Sequence, residues 1–358
     1  MQPHTPHTPL LIRAALLGTA LFLLSCTKTV TEVPDHPASQ LPDGAITFSG
    51  VTTKALINSA DEITGFNVFG YYVPDAAVAG EQAETVFNGD LVTKDPSGSV
   101  WSYENLKMWE SGVNYDFYAI YSRKYDELKQ VGLETKMAEK PYVVIAFYDI
   151  TANQDDDLMF AASENLSYDP AQGARPVSFT FNHLLSQVEF KGKVHSASVG
   201  IEGFDVKVKS AKLYGLYTEG DFSAENFVSG ENETIRECWT IPGIPGDNNT
   251  DATNPYIEYS EESPVLDLTE DETSIFGGIM VFPQALTSDV YFEITYSTDG
   301  GTNYTTQKVQ LISSPLSVWE AGKRYSYSFT VSDNDRILFD VPTVNGWDEA
   351  TGGIIIVD

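Results

Sequence analysis

Trp319-Glu320-Ala321-Gly322-Lys323-Arg324-Tyr325-Ser326-Tyr327-Ser328-Phe329-Thr330-Val331 is the stretch on which the fold turns. From Tyr325 onward its residues alternate, with Tyr325, Tyr327, Phe329 and Val331 on one side and Ser326, Ser328 and Thr330 on the other. A period of two marks a strand with one buried face. Ahead of it, a glycine three residues after a tryptophan can supply the positive φ of a tight turn. The same spacing occurs at Trp109-Glu110-Ser111-Gly112-Val113-Asn114-Tyr115-Asp116-Phe117. This echo of Trp-Glu-small-Gly-x-x-Tyr-x-aromatic predicts a related sandwich module occurring twice. The boundary is expected near Ser167–Pro176, where Tyr168-Asp169-Pro170 and Gly173 to Pro176 break the pattern.

Outward from these motifs, the chain from Ala45 onward is a series of β-rich runs punctuated by Gly, Pro, Asn and Asp, the rhythm of antiparallel sandwiches. The expected strands are Ala45–Val51, Phe66–Val73, Tyr115–Ser122, Tyr142–Ile150, Val177–Phe181, Val188–Val194, Phe204–Tyr217, Gly277–Phe282, Val290–Tyr296, Tyr304–Leu311, Arg324–Val331, Ile337–Val341 and Gly352–Val357. Helix is expected only as short turns at Lys124–Val131 and around His183–Ser186. Asp299-Gly300 carries two-residue hairpin chemistry and should join Val290–Tyr296 to Tyr304–Leu311. The expected architecture is all-β, with less than about a tenth of the residues in helix against a usual third.

At the N-terminus, Arg13 precedes an apolar run from Ala14 to Leu24 that is too short to span a bilayer and has the length of a signal-peptide core. The run ends in Leu23-Leu24-Ser25-Cys26, which resembles a bacterial lipobox, so residues 1–25 are expected to be removed and Cys26 acylated. Residues 26–44 contain Pro34, Pro37 and Pro42, show no periodicity and read as an extended tether. At about 3.1 Å per residue, it could hold the folded part as much as roughly 50 Å from the lipid. Cys238 is then left without an intrachain partner, and packing alone has to hold the fold.

The chain has 358 residues, with 51 Asp+Glu against 21 Lys+Arg and a formal net charge of −30. Its length suggests about two domains of roughly 150 residues each. Its 42% hydrophobic content gives it enough apolar surface to offset chain entropy, which excludes disorder. The acidity argues against nucleic-acid binding, which needs clustered Lys and Arg, and against adsorption to an anionic membrane through a basic face. Beyond the tether there are two histidines, His183 and His195, and neither has zinc-site spacing. His183 sits among apolar neighbours in Phe181-Asn182-His183-Leu184-Leu185-Ser186 and reads as a structural residue. No nucleophile elbow, phosphate-binding loop or dinucleotide fingerprint occurs. Asp155-Asp156-Asp157 and Glu270-Asp271-Glu272 lack the spacing of a calcium loop and are expected to be solvated turns. Neither a cofactor nor a metal is expected.

Four features together resemble the fimbrillin family, the type V pilins and pilin-like lipoproteins of Gram-negative anaerobes. They are the lipobox before a Pro-containing tether; Ile46-Thr47-Phe48-Ser49-Gly50 followed by Thr53-Lys54-Ala55; Phe181-Asn182-His183-Leu184-Leu185-Ser186-Gln187-Val188; and Trp319 to Tyr327 leading to Val344-Asn345-Gly346-Trp347 and Gly352 to Val357. The resemblance covers essentially the whole mature chain, and each motif alone is short. It implies two tandem transthyretin-like antiparallel β-sandwich domains, at residues 45–170 and 171–358. It also implies export as an outer-membrane lipoprotein to the cell surface, and assembly of fimbriae with other subunits by donor-strand exchange.

In that mechanism a protease removes the first strand, here Ala45–Val51, and a strand of the next subunit fills the open edge and groove. Ile46 and Phe48 are expected to face the core, with Thr47 and Ser49 outward. Family maturation is a cut after arginine, yet no arginine lies between Cys26 and Arg123. Lys54 is the basic residue at the matching position and the candidate maturation site. A trypsin-like or lysine-directed protease could use it; otherwise the strand stays attached, as suits an anchor subunit or a lipoprotein that does not polymerise. The segment after Cys26 also carries little of the acidic cluster expected for surface display. The expected partners are other fimbrial subunits, the outer membrane through the lipid, and a host or bacterial surface ligand. The alternative is a surface glycan-binding lipoprotein using Trp101, Trp109, Trp239, Trp319 and Trp347 as a platform; Trp109 and Trp319 lie in the echoed motif and fit better as core.

Overall fold

In chain order, the strands of the computed structural model are β1 (Phe48–Thr53), β2 (Gly65–Tyr72), β3 (Glu84–Lys94), β4 (Trp101–Ser102), β5 (Asn114–Tyr121), β6 (Gln130–Glu134), β7 (Tyr142–Asp149), β8 (Met159–Ser167), β9 (Val177–His183), β10 (Ser186–Val194), β11 (Lys207–Tyr214), β12 (Glu219–Ser223), β13 (Trp239–Thr240), β14 (Ile257–Tyr259), β15 (Leu266–Asp267), β16 (Thr273–Val281), β17 (Tyr291–Ser297), β18 (Thr305–Gln310), β19 (Lys323–Val331), β20 (Ile337–Phe339) and β21 (Thr343–Gly346). The structure describes residues 41–53, 63–74, 82–96, 100–135, 140–241, 257–259, 265–312, 316–333, 337–340 and 342–346. Cys26, Lys54, Trp347 and the expected strand at 352–357 lie outside the described residues. Among the described residues strand accounts for 52% and helix for 6%, so the all-β reading holds.

Four sheets result. The first has the order β1-β9-β8-β5-β2-β3-β4, the second β16-β10-β19-β20 with β21 also on β19, the third β14-β11-β17-β18 with β15 also on β11, and the fourth β13-β12-β7-β6. Pairing is antiparallel except at β1·β9 and β10·β19, which are parallel. Val188, Phe190, Tyr325, Tyr327 and Phe329 of the second sheet share one core with Val208, Leu213, Phe292 and Ile294 of the third. The alternation of β10, fully in-out along its length, follows from that single buried face.

β2 and β5 are different. Both are almost continuously buried, because Phe66, Val68, Tyr115 and Phe117 enter one core while Phe69, Tyr71, Tyr118 and Ile120 enter another. Near-continuous apolar runs are what a strand covered on both faces requires. The second of these cores also takes Val143 and Ile145 of β7, Phe222 of β12, Trp239 and Phe282. The fourth sheet therefore joins residues from either side of position 170, since β7 pairs with β12.

Several expectations are corrected. Within Lys124–Val131 the helical turn is shorter than expected: a single 3-10 turn at Tyr125–Glu127, after which the chain runs into β6. The His183–Ser186 neighbourhood is the end of one strand, a bend at Leu184-Leu185 and the start of a second strand that joins another sheet. The α-helix of the described residues is Asn232–Glu237, a short polar segment without an apolar stripe that periodicity could reveal. The β17–β18 connection is longer than two residues, because Asp299 organises the loop: its carboxylate accepts from Ser297 Oγ at 2.6 Å and from the amides of Thr302 and Asn303 at 3.0 and 2.9 Å. The Asp155–Asp157 run is only partly solvated. Asp156 is fully buried and accepts from Ser122 Oγ at 2.6 Å and the Arg123 amide at 2.8 Å; burial is the main cause raising its pKa.

Candidate functional site

The residues around Gly44 to Thr53 form the site. Gly44 has φ +82°, and a Cβ there would lie 3.2 Å from the Tyr168 hydroxyl, so glycine suits both the backbone and the space. The segment first pairs on one side: the Trp109 amide donates to Gly44 O at 2.8 Å and the Ile46 amide to Lys107 O at 2.9 Å. It then changes partner. The Val177 amide donates to Thr47 O at 2.8 Å, and β1 runs parallel to β9 with Phe48 beside Val177 and Thr53 beside Phe181. β1 is the terminal strand of the first sheet.

The side chains alternate as expected, Ile46 and Phe48 being buried, Thr47 partly covered and Ser49 exposed. Phe48 is surrounded by aromatic rings, with centroids of Phe66, Phe87, Tyr103 and Phe179 at 6.1, 5.6, 5.6 and 6.0 Å. Tyr103 adds a polar tie, its hydroxyl donating to Ile46 O at 2.7 Å and accepting from the Lys107 amide at 3.2 Å. Burial pushes the pKa of Tyr103 up to about 12. These four ring partners were not foreseen, because Phe87 and Tyr103 come from a strand and a loop with no clear period.

Without the segment, the socket of two large apolar side chains would open, at about 1.5–3 kcal/mol each for Ile46 and Phe48. The edge of β9 would also lose its partner. What this arrangement can do chemically is hold or exchange a strand. Among the described residues no group of three or more His, Cys, Asp or Glu side chains could hold a metal. His183 is buried with Nδ1 2.8 Å from Asp157, the structural setting expected for it. Cys238 is a buried free thiol, pushed up to about pKa 12 by burial.

The echoed motif is a structural repeat. Gly112 and Gly322 have φ +87° and +67°. The Glu110 amide donates to the Tyr115 hydroxyl and the Glu320 amide to the Tyr325 hydroxyl, both at 2.7 Å. Just as Ala45 bridges Met108, Ala285 bridges Val318; Trp319 and Leu286 donate to Gln284 O and Ser317 O as Trp109 and Ile46 do to Gly44 O and Lys107 O. The internal segment at 284–286 thus occupies beside the second copy of the turn the place that 44–46 takes beside the first. Trp109, Trp239 and Trp319 are buried, which removes them from any exposed platform.

Comparison with known proteins follows the same line. No curated protein matches the chain. A fimbrial protein from Bacteroides vulgatus has a similar structure, with 17% identity, a TM-score of 0.55, and coverage of 86% of this chain and 100% of the other. A candidate cell adhesion protein from Bacteroides ovatus aligns at 18% identity and TM-score 0.48 over 88% and 98%, and a fimbrial assembly protein from Parabacteroides distasonis at 14% and 0.39 over 85% and 100%. The profile of the fimbrillin-like family matches residues 53–347, a span holding both copies of the echoed turn, and the chain belongs to the fimbrillin-like family.

Proposed function

We propose that the chain is a pilin-like subunit that is exported as a lipoprotein through Cys26 and assembles into fimbriae by strand exchange at the β1 groove. The family is a structural fimbrial and adhesion family, not an enzyme family. The observation that carries the reading is the burial of Ile46 and Phe48 in an aromatic socket by a segment at the edge of the first sheet. A head-to-tail contact through such an edge builds a filament and not a closed ring. In this reading residues 1–25 are the signal peptide, 26–44 the tether, 45–170 and 171–358 the two sandwich modules, and Lys54 the maturation site.

The donor is the C-terminal tail. Gly352-Gly353-Ile354-Ile355-Ile356 follows the order of Gly44-Ala45-Ile46-Thr47-Phe48, two small residues and then large apolar residues at the first and third positions. Cutting at Lys54 in vitro tests the groove, and truncation after Thr351 tests the donor. The expected result is ladders of oligomers from the cut full-length chain and none from the cut truncated chain. A cut chain that stays monomeric at high concentration sinks the groove; assembly without the tail sinks only the donor. Cys26→Ala should abolish detergent partitioning, and unchanged partitioning would contradict lipidation there.

A further inference from the structure

Three described residues other than glycine have positive φ: Asn105, Phe147 and Asn165, at 58°, 56° and 57°. Asparagine enters this region readily, whereas for a bulky residue it is a strained conformation. Two of the three occupy the same device. In the β5·β8 pair the register shifts opposite Asp116, and the Asn165 amide donates to Asp116 Oδ1 at 2.7 Å. In the β7·β12 pair the register shifts opposite Asp221, and the Phe147 amide donates to Asp221 Oδ1 at 2.7 Å. Each is a bulge whose extra residue is left-handed and whose amide is accepted by an aspartate across the pair. The first is built with the residue suited to it. Phe147 is therefore not what the bulge demands.

Nor does the core demand it. Ile145 and Tyr148 on either side are buried, while Phe147 is 50% exposed, because the extra residue turns its side chain outward. Phe147 lines a shallow cleft together with Glu127, Lys129 and Asp149. An aromatic side chain held out at a conformational cost, beside charged groups of both signs, points to a ligand contact. The ligand class follows from the chemistry. Lys129 Nζ lies 3.5 Å from Glu219, and Asp149 accepts from the Thr151 hydroxyl and the Ala152 amide; a peptide's apolar side chain laid on the ring would strip water from these charged groups and give them no polar contact in return. A pyranose presents a C–H face to the electron-rich face of the ring, and hydroxyls that donate to Glu127 and Asp149 and accept from Lys129. With a chain charge of −30, a neutral sugar is favoured over a sulfated or sialylated one.

We propose that Phe147 is a stacking platform for a neutral pyranose of a surface polysaccharide, with Glu127, Lys129 and Asp149 as its polar rim. This rests on the reading of the chain as a surface adhesion subunit. The test is native electrophoresis of the full chain in gels cast with mannan, arabinogalactan or dextran. At least one polymer should retard the wild-type chain. Phe147→Asn should weaken that retardation at least tenfold with a thermal midpoint equal to or above wild type, and Phe147→Trp should keep it. The proposal is overturned if no polymer retards the wild type, if Phe147→Asn is retarded equally, or if Phe147→Asn fails to fold, since the ring would then serve the fold. A chain that assembles after cutting yet is never retarded overturns this inference alone; one that is retarded yet never assembles overturns strand exchange alone.

Discussion

Tyr103 and Tyr327 show how single hydroxyls set local strength at the two copies of the turn. Tyr103 is the only side chain among the described contacts that hydrogen-bonds to the backbone of Ile46. Its folded pKa of about 12 lies above the unfolded value near 10, so its contribution is fully present below pH 10 and is lost as pH rises through about 12. A phenolate cannot donate to Ile46 O. We expect cleavage of the 44–53 segment by an added protease to accelerate between pH 10 and 12 in the wild type, and Tyr103→Phe to show the faster rate already at pH 8, with about 1 kcal/mol lost from stability. A Tyr103→Phe chain as resistant as wild type at pH 8 would contradict the tie. Tyr327 has a matching role in the second module, accepting from Trp319 Nε1 at 3.0 Å. In the first module the equivalent residue is Phe117, and the buried Trp109 Nε1 meets no acceptor among the described residues. Tyr327→Phe should therefore reproduce in the second module the condition the first already tolerates. The expected cost is about 1–3 kcal/mol for an orphaned buried donor, read as a lower denaturation midpoint.

At the level of elements, alternation was legible wherever one face of a strand is buried and the strand itself carries no extra residue. β10, β17 and β19 are of this kind, and so is the Ile46-Thr47-Phe48 segment that defines the candidate site. β3 was missed because its two register shifts against β2 and a left-handed Gly89 scramble the period of two. β12, only five residues long with a glycine and two acids, is a strand because β7 and β13 flank it, not because of its own pattern. The rings lining the socket escaped for a similar reason, since they converge from separate elements. Phe147 was invisible inside Tyr142–Ile150, where a continuous apolar run hides the bulge that turns it outward. The same alternation gives a register test for the proposed donor. If Ile354 and Ile356 take the places of Ile46 and Phe48, and Ile355 that of the outward Thr47, then Ile354→Lys and Ile356→Lys should each abolish capture by a cut subunit, whereas Ile355→Lys should assemble at a rate near wild type. Equal sensitivity at all three positions would show that the tail does not enter in this register.

Across the whole molecule the residues on either side of position 170 are tied together by main chain, core and side chain. β7 pairs with β12 across the expected boundary. The core between them combines Phe69, Tyr118, Ile145 and Phe160 with Leu184, Phe222, Trp239 and Phe282. Gln154 adds a two-way clasp, its amide nitrogen donating to Met280 O at 2.8 Å and its oxygen accepting from the Met280 amide at 3.0 Å. A boundary crossed by this much buried apolar surface couples the stabilities of its two sides, because neither can open without exposing the shared core. Denaturant unfolding should then be one transition, with far-ultraviolet circular dichroism and tryptophan fluorescence coincident even though Trp109 and Trp319 lie in different core clusters. Gln154→Ala removes the two side-chain hydrogen bonds to the Met280 backbone, at about 0.5–1.5 kcal/mol each. The decisive outcome is how the loss is distributed: both signals should move to lower denaturant together. Two resolved transitions in the wild type, or a Gln154→Ala shift confined to one signal, would mean that the parts on either side of position 170 unfold independently despite the sheet they share.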